Sequence, residues 1–218
     1  MQAHQIIPAS DLVDMSDQAN IQINLAYAHD APPNIFGKIY RDDARLWLHK
    51  LLAEIVQRAA GFAARDGFSL LLYDGLRTCD AQAAMGESAI VKANPGWMEE
   101  PRLLSPAGGG AHPRGMAIDL TLIDDAGAIL DMGTDFDFLA ENSAPEHNPA
   151  HRQHPYLSDQ VRANRARLDS YMMRASEETG TPLLLLPQEW WDFRLPAEIY
   201  EAYAPLSDSD LPDHMRMT

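Results

Sequence analysis

The sequence predicts an α+β fold in a single domain, on three observations. Helical and strand-like segments follow one another without the regular alternation that builds a doubly wound sheet. The run from Ala117 to Leu130 reads as strand, turn, strand. The chain has 218 residues, 46% of them hydrophobic, enough for one sizeable core, and no internal repeat or linker interrupts it.

The elements follow in order. From Asp42 to Ala64 the apolar positions Leu48, Leu51, Leu52, Ile55, Val56, Ala59, Ala60 and Ala63 recur at spacings of three and four, one face of an amphipathic helix. Gly67 ends it, and Phe68 to Tyr73 is a short apolar run with the length of a buried strand. Asp80 to Val91 suits a short helix. Lys92 to Ala111, with three prolines and Gly108-Gly109-Gly110, reads as a long loop. Ala117 to Ile123, the turn Asp124 to Gly127, and Ala128 to Leu130 form the hairpin candidate. A second long loop spans Gly133 to Pro155. Ser158 then caps a helix running to about Thr179, which Gly180 stops. Leu183 to Leu186 is a second buried strand, and Glu189 to Leu195 has the aromatic content of a third. After Pro205 the chain turns polar and acidic, and from about residue 206 it reads as a solvated tail.

Charge narrows the partners. Lys and Arg total 17 against 32 Asp and Glu, a formal net charge of -15, with no basic patch visible, which argues against nucleic acid and anionic lipid. No apolar run approaches the ~20 residues that span a bilayer. Met1 to Gln5 shows neither the basic nor the apolar region of a secretory signal, and the single Cys79, read as a small buried thiol, excludes an internal disulfide framework. Both point to the cytoplasm.

Three segments could carry chemistry. His112 and Asp119 are residue types that suit a divalent metal, and the glycines at 108 to 110 let backbone approach a ligand. Seven residues apart on one straight strand they would face opposite sides, so convergence requires a bend at Pro113 or Gly115. The plainer alternative is a turn histidine and a turn-capping aspartate. In Glu189-Trp190-Trp191-Asp192, either the indoles pack inside while both carboxylates reach solvent, or Glu189 sits in an apolar wall as a general base with a raised pKa. In Tyr73-Asp74-Gly75-Leu76-Arg77, Arg77 follows a strand, where it either is a solvated loop residue or stabilises developing negative charge.

Taken together, Tyr73-Asp74-Gly75-Leu76-Arg77, His112-Pro113-Arg114-Gly115-Met116-Ala117-Ile118-Asp119-Leu120-Thr121-Leu122, Met132-Gly133-Thr134-Asp135-Phe136-Asp137-Phe138 and Glu189-Trp190-Trp191 stand in the order and approximate spacing of VanX-type D-alanyl-D-alanine dipeptidases. The chain resembles that family from about Asn34 to Leu195. The resemblance implies a central antiparallel sheet flanked by helices, with one zinc ion per chain at the sheet face. It further implies a metallopeptidase of cell-wall metabolism with a small dipeptide as substrate. His112 and Asp119 become metal ligands, Glu189 the general base, Arg77 the residue that stabilises the tetrahedral intermediate, and Asp137 the carboxylate that receives the substrate's ammonium group.

Three positions depart from the family pattern. Its third metal ligand, a histidine, is replaced by Asp192. A carboxylate binds zinc at about the same distance as imidazole, ~2.0 to 2.2 Å, so Asp192 is expected as the third ligand. Counting donors alone, this lowers the charge of a divalent centre from about +1 to zero, which implies a weaker Lewis acid, a more alkaline working range, and a better fit to manganese or another hard ion. Gly110 stands where the family has a small hydroxyl residue, which removes a hydrogen bond to substrate, and Thr78 stands where it has proline. The histidines His147, His151 and His154, in the second long loop, are candidates for supplying the missing imidazole. The expected activity is hydrolysis of D-alanyl-D-alanine. The alternatives are a binding homologue with weakened or lost hydrolysis, and a dipeptidase for another dipeptide or peptidoglycan fragment. A homo-oligomer is compatible with the sequence.

Overall fold

The computed structural model describes residues 5 to 99 and 102 to 218. Met1 to His4, within the segment read as lacking a secretory signal, and two positions of the first long loop lie outside the described residues. In chain order the elements are β1 (Leu12–Asp14), β2 (Ile21–Ile23), β3 (Trp47–His49), α1 (Lys50–Arg65), β4 (Phe68–Asp74), α2 (Cys79–Gly86), α3 (Ala89–Ala93), β5 (Ala117–Asp124), α4 (Asp159–Thr179), β6 (Leu184–Leu185), β7 (Asp192–Arg194) and α5 (Ala197–Tyr200). The α+β expectation holds. The main sheet has the order β2-β4-β5-β7-β6, and β1 pairs with β3 in a separate two-stranded ribbon. The main sheet is mixed, because β2 runs parallel to β4 while its other pairs are antiparallel.

Strands β4 and β5 form the centre and are buried along most of their length. Side chains alternate between faces, so Leu70 and Leu72 of β4, opposite Leu122 and Leu120 of β5, share the apolar face, and all four are fully buried. Helix α1 packs on β4 and α4 packs on α1. The buried stripe of α1 includes Leu52, Ile55, Val56, Ala59, Ala60 and Ala63 at helical spacing. The opposite face of β5 carries Asp119 and Thr121.

Several boundaries differ from those the sequence suggests. The first helix begins at Lys50, because Trp47 to His49 pairs with Leu12 to Asp14 and satisfies its backbone there. The short helix expected at 80 to 91 is two helices, and Thr78 caps the first by accepting a hydrogen bond from the Ala81 amide at 3.4 Å. The second arm of the hairpin shrinks to a single bridge, Ile123 to Ile129. Helix α4 starts and stops as expected, with the Ser158 hydroxyl accepting from the Val161 amide and Gly180 left-handed at φ 68°.

The acidic tail is not a solvated appendage. Leu206, Leu211, Met215 and Met217 are buried, and they anchor the acidic residues between them. Asp208 accepts from the amides of Met217 and Thr218 at 3.0 and 2.9 Å, so one of the acids expected in solvent is a buried structural hub.

Candidate metal and catalytic site

The site is assembled on three adjacent strands. Asp119 of β5 lies directly opposite Asp192 of β7 on one side and Asp74 of β4 on the other. An irregularity between Leu72 and Asp74 shifts the register by one residue and turns Asp74 onto the face of Asp119. Three buried carboxylates thus stand in a row across the sheet. Like charges directly opposite one another repel, so the arrangement calls for cations.

Arg77 supplies one. It leaves β4 three residues after Asp74, and its Nε donates to Asp74 Oδ2 at 2.8 Å while Nη2 reaches Asp119 Oδ2 at 3.3 Å. Its guanidinium carbon lies 4.9 Å from the centre of the Tyr27 ring. Burial disfavours its charge, but Tyr27, Asp74 and Asp119 more than offset this and hold it cationic. Tyr40 donates to the other oxygen of Asp74 at 2.6 Å, so both oxygens of Asp74 are engaged.

His112 arrives by the bend that its spacing from Asp119 demands. His112–Arg114 is a single 3-10 turn closed by Gly115, left-handed at φ 62°, and β5 starts two residues later. A Cβ at Gly115 would lie 3.0 Å from the His49 amide nitrogen, so both the backbone conformation and the close approach require glycine. His112 Nδ1 lies 2.8 Å from the Gly75 carbonyl oxygen. A carbonyl only accepts, so Nδ1 carries a proton and Nε2 is the nitrogen left to bind an ion.

That Nε2 sits 3.5 Å from Asp119 Oδ2 and 3.5 Å from Asp192 Oδ2. A tetrahedral ion with bonds of ~2.0 to 2.2 Å holds its donor atoms roughly 3.3 to 3.6 Å apart, so each spacing matches one edge of such a tetrahedron. Asp119 Oδ1 is buried without a hydrogen-bond partner, an orphaned acceptor of the kind an ion would satisfy. Asp74, His112 and Asp119 also offer donor atoms within 4.8 Å of one another. Asp74 Oδ2 lies 3.3 Å from His112 Nδ1, the ring nitrogen other than the one facing Asp119 and Asp192, so Asp74 stands as a support behind His112. Burial and Arg77 oppose charging His112, yet Asp119 and Asp192 outweigh them and lift its pKa to about 10, the mark of a centre that draws a cation.

Glu189 lies three residues before Asp192, just ahead of β7, half-buried in the same cavity. Desolvation, then the carboxylates of Asp192 and Asp119, push it well above the usual carboxylate range. Both indoles between them are buried, so the core-packing view of the tryptophans is right, but Asp192 points into the site and does not reach solvent. Asp137 is buried and unusual in having φ 60°. The Tyr27 hydroxyl spans its two oxygens at 3.2 and 3.0 Å, while desolvation and then Asp119 push its pKa well up. Arg77, His112, Asp119, Asp137, Glu189 and Asp192 all line one cavity of about 90 Å³. A larger cleft of about 1000 Å³, bordered by Tyr73, Phe136 and Trp190, contains none of the six.

Comparison with known proteins shows the family. The family model described as D-ala-D-ala dipeptidase, Peptidase M15, matches residues 9 to 209. The chain belongs to the M15 peptidases. These enzymes are metal-dependent, and the grouping of Asp74, His112 and Asp119 is a site where this M15 peptidase could hold an ion. The D-alanyl-D-alanine dipeptidase of Escherichia coli strain K12 is 33% identical over 191 residues, covering 86% of this chain and 87% of that protein. That of Enterococcus faecium is 36% identical over 173 residues, covering 74% and 77%. That of Enterococcus faecalis is 31% identical over 163 residues, covering 69% and 74%.

The departures from the family pattern take on different meanings in place. The histidine loop does not supply an imidazole: His151 Nδ1 accepts from the Gln153 amide, His154 Nδ1 lies 2.7 Å from the Pro145 carbonyl, and none of the three histidines lines the cavity. Beside Gly110, where the family hydroxyl is absent, Ser105 Oγ lies 3.2 Å from where a Cβ would be. Gln82 and Arg114 pin this glycine run, Gln82 through Gly108 and Gly109 and Arg114 through Gly108 and Gly110. Cys79 is partly exposed at the start of α2 and does not line the cavity. The charge count behind the expected alkaline shift omits Arg194, whose Nε donates to Asp192 Oδ1 at 2.7 Å and whose Nη2 grips Oδ2. Arg194 and Tyr27 were legible only in part: alternation puts Arg194 on the face of Asp192, whereas nothing local marks Tyr27, which lies 110 positions from its partner Asp137.

Proposed function

We propose that this M15 peptidase hydrolyses D-alanyl-D-alanine in the cytoplasm, with His112, Asp119 and Asp192 holding one zinc ion. The observation that carries the reading is His112 Nε2 at 3.5 Å from an oxygen of each aspartate, beside an unpartnered Asp119 Oδ1 and a half-buried Glu189. A divalent ion, when bound, supplies Lewis acidity to the scissile carbonyl and acidifies water. Glu189 takes the proton of the attacking water and returns it to the leaving amine, a shuttle for which a raised carboxyl pKa is suited. Arg77, fixed between Asp74 and Asp119, stabilises the negative charge that develops on the carbonyl oxygen.

Asp137 receives the substrate's free ammonium group, which also relieves the cost of its own burial. Ser105 takes the place of the family hydroxyl near the other end of the substrate. A cavity of about 90 Å³ suits a very small substrate, being far below the ~300 to 1000 Å³ of drug-sized ligand sites. The test supplies the purified protein with zinc, manganese or cobalt and measures amine release from D,D-, L,D- and L,L-dipeptides. D-alanine release from D-Ala-D-Ala that Glu189→Ala abolishes is expected. Release from another stereochemical class alone overturns the substrate, and no release from any of them overturns the hydrolytic reading.

A further inference from the structure

We propose that Arg194 is the built-in counter-ion that lets Asp192 serve in the metal centre, so that the two side chains together act as one neutral donor. This rests on the reading of Asp192 as a ligand. Asp192 and Arg194 are two apart on β7 and project from the same face, with the core residue Phe193 between them on the other. Ala117 lies opposite Arg194 on β5, and a methyl side chain leaves space for the guanidinium to fold along the strand toward Asp192. Its Nε donates to Oδ1 at 2.7 Å and its Nη2 donates to Oδ2, the oxygen that also stands 3.5 Å from His112 Nε2. An ionised carboxylate has about four lone-pair positions, so the grip of Arg194 leaves Oδ2 able to accept a further partner.

The charge count follows from these contacts. With an ion on Nε2 in place of a proton His112 is neutral, Asp119 and Asp192 contribute one negative charge each, and Arg194 returns one positive charge. A divalent ion among them leaves a net charge of +1, the value for a centre of two neutral imidazoles and one carboxylate. Arg194 is held nearly out of water, with its side chain 18% exposed against 1% for Asp192, so its charge acts on the centre with little screening. It is a positioning and charge-setting residue and takes no part in proton transfer.

Cobalt(II) titration, read by its ligand-field absorption and by competition with a chelator, tests this independently of turnover. Asp192→His in the presence of Arg194 should weaken Co²⁺ binding by about tenfold or more, because it strands a guanidinium beside a dication. Adding Arg194→Gln to that variant should restore binding to near the natural level. Arg194→Gln alone should tighten binding by about tenfold, whereas Arg194→Lys, which keeps the charge and loses the fork, should stay near the natural affinity. If Asp192→His does not fold, the contrast between Arg194→Gln and Arg194→Lys decides. Equal affinities for those two, or natural affinity in folded Asp192→His, overturns the proposal. His112→Ala separates the two levels: unchanged Co²⁺ binding in that variant means that the metal-centre reading itself has failed.

Discussion

Gly75 is where strand β4 hands the chain to Arg77, and replacing it with alanine tests how tightly the fold dictates the site. A Cβ built there would lie 2.7 Å from the Trp47 carbonyl oxygen, 2.9 Å from Leu48 Cδ2 and 3.0 Å from Leu46 Cδ2. The two leucine methyls can rotate, but the carbonyl cannot move freely because it accepts the Leu76 amide at 2.9 Å. The chain must therefore shift away, and with it the Gly75 carbonyl that orients His112 Nδ1. Overpacking costs about 1 to 3 kcal/mol and a lost hydrogen bond about 1 more, so Gly75→Ala should destabilise by about 2 to 4 kcal/mol. For a chain of this size that lowers Tm by roughly 5 to 15 °C. Urea unfolding followed by tryptophan fluorescence measures it, with Gly61→Ala as the control. Gly61 is inside α1 with nothing within 4 Å of its would-be Cβ, and the same substitution there should stabilise by about 0.5 to 1 kcal/mol. Gly75→Ala within about 0.5 kcal/mol of the natural protein would refute the steric argument.

Two further outcomes are expected. Tyr27→Phe removes the hydroxyl that spans both oxygens of Asp137, so KM for a dipeptide should rise about tenfold with a smaller change in kcat; an unchanged KM would break the link between Asp137 and the substrate amine. Asp208→Asn should cost ~2 kcal/mol at neutral pH by loosening residues 213 to 218. Burial raises the Asp208 carboxyl, but hydrogen bonds from the Thr218 side chain and the amides of Met217 and Thr218 outweigh it and hold the pKa below the usual range. A depressed carboxyl contributes stability above its unfolded pKa of ~3.9 and loses it as pH falls through the folded value. The gap between Asp208→Asn and the natural protein should therefore close in acid, and a gap independent of pH contradicts this origin.

The chemistry of the site was legible because the residue types and their order are local properties. His112, Asp119 and Glu189 sit in short motifs, and the need for a bend between His112 and Asp119 follows from strand periodicity alone; the 3-10 turn and Gly115 supply it where expected. Helix α4 was equally legible, since its Ser158 cap and Gly180 stop are local signals. The start of α1 was not, because Trp47 to His49 has to choose between continuing a helix and pairing with Leu12 to Asp14, and the partner lies over thirty residues away. The short strand β2 was missed for the same reason: its pairing with β4 spans about fifty residues.

By itself, then, the sequence determined the α+β class and singled out the residues proposed to bind a cation and move a proton. Tertiary structure decided how those residues are charged. The register shift in β4 places Asp74 beside Asp119, and the β5–β7 pairing places Asp192 opposite Asp119 with Arg194 next to it. It also decided that the histidine loop stays out of the site and that the acidic tail is anchored in the core. Pairing register and long-range packing depend on partners far apart in the chain, and the net charge of a buried site is a sum over whichever side chains that packing brings within a few ångströms.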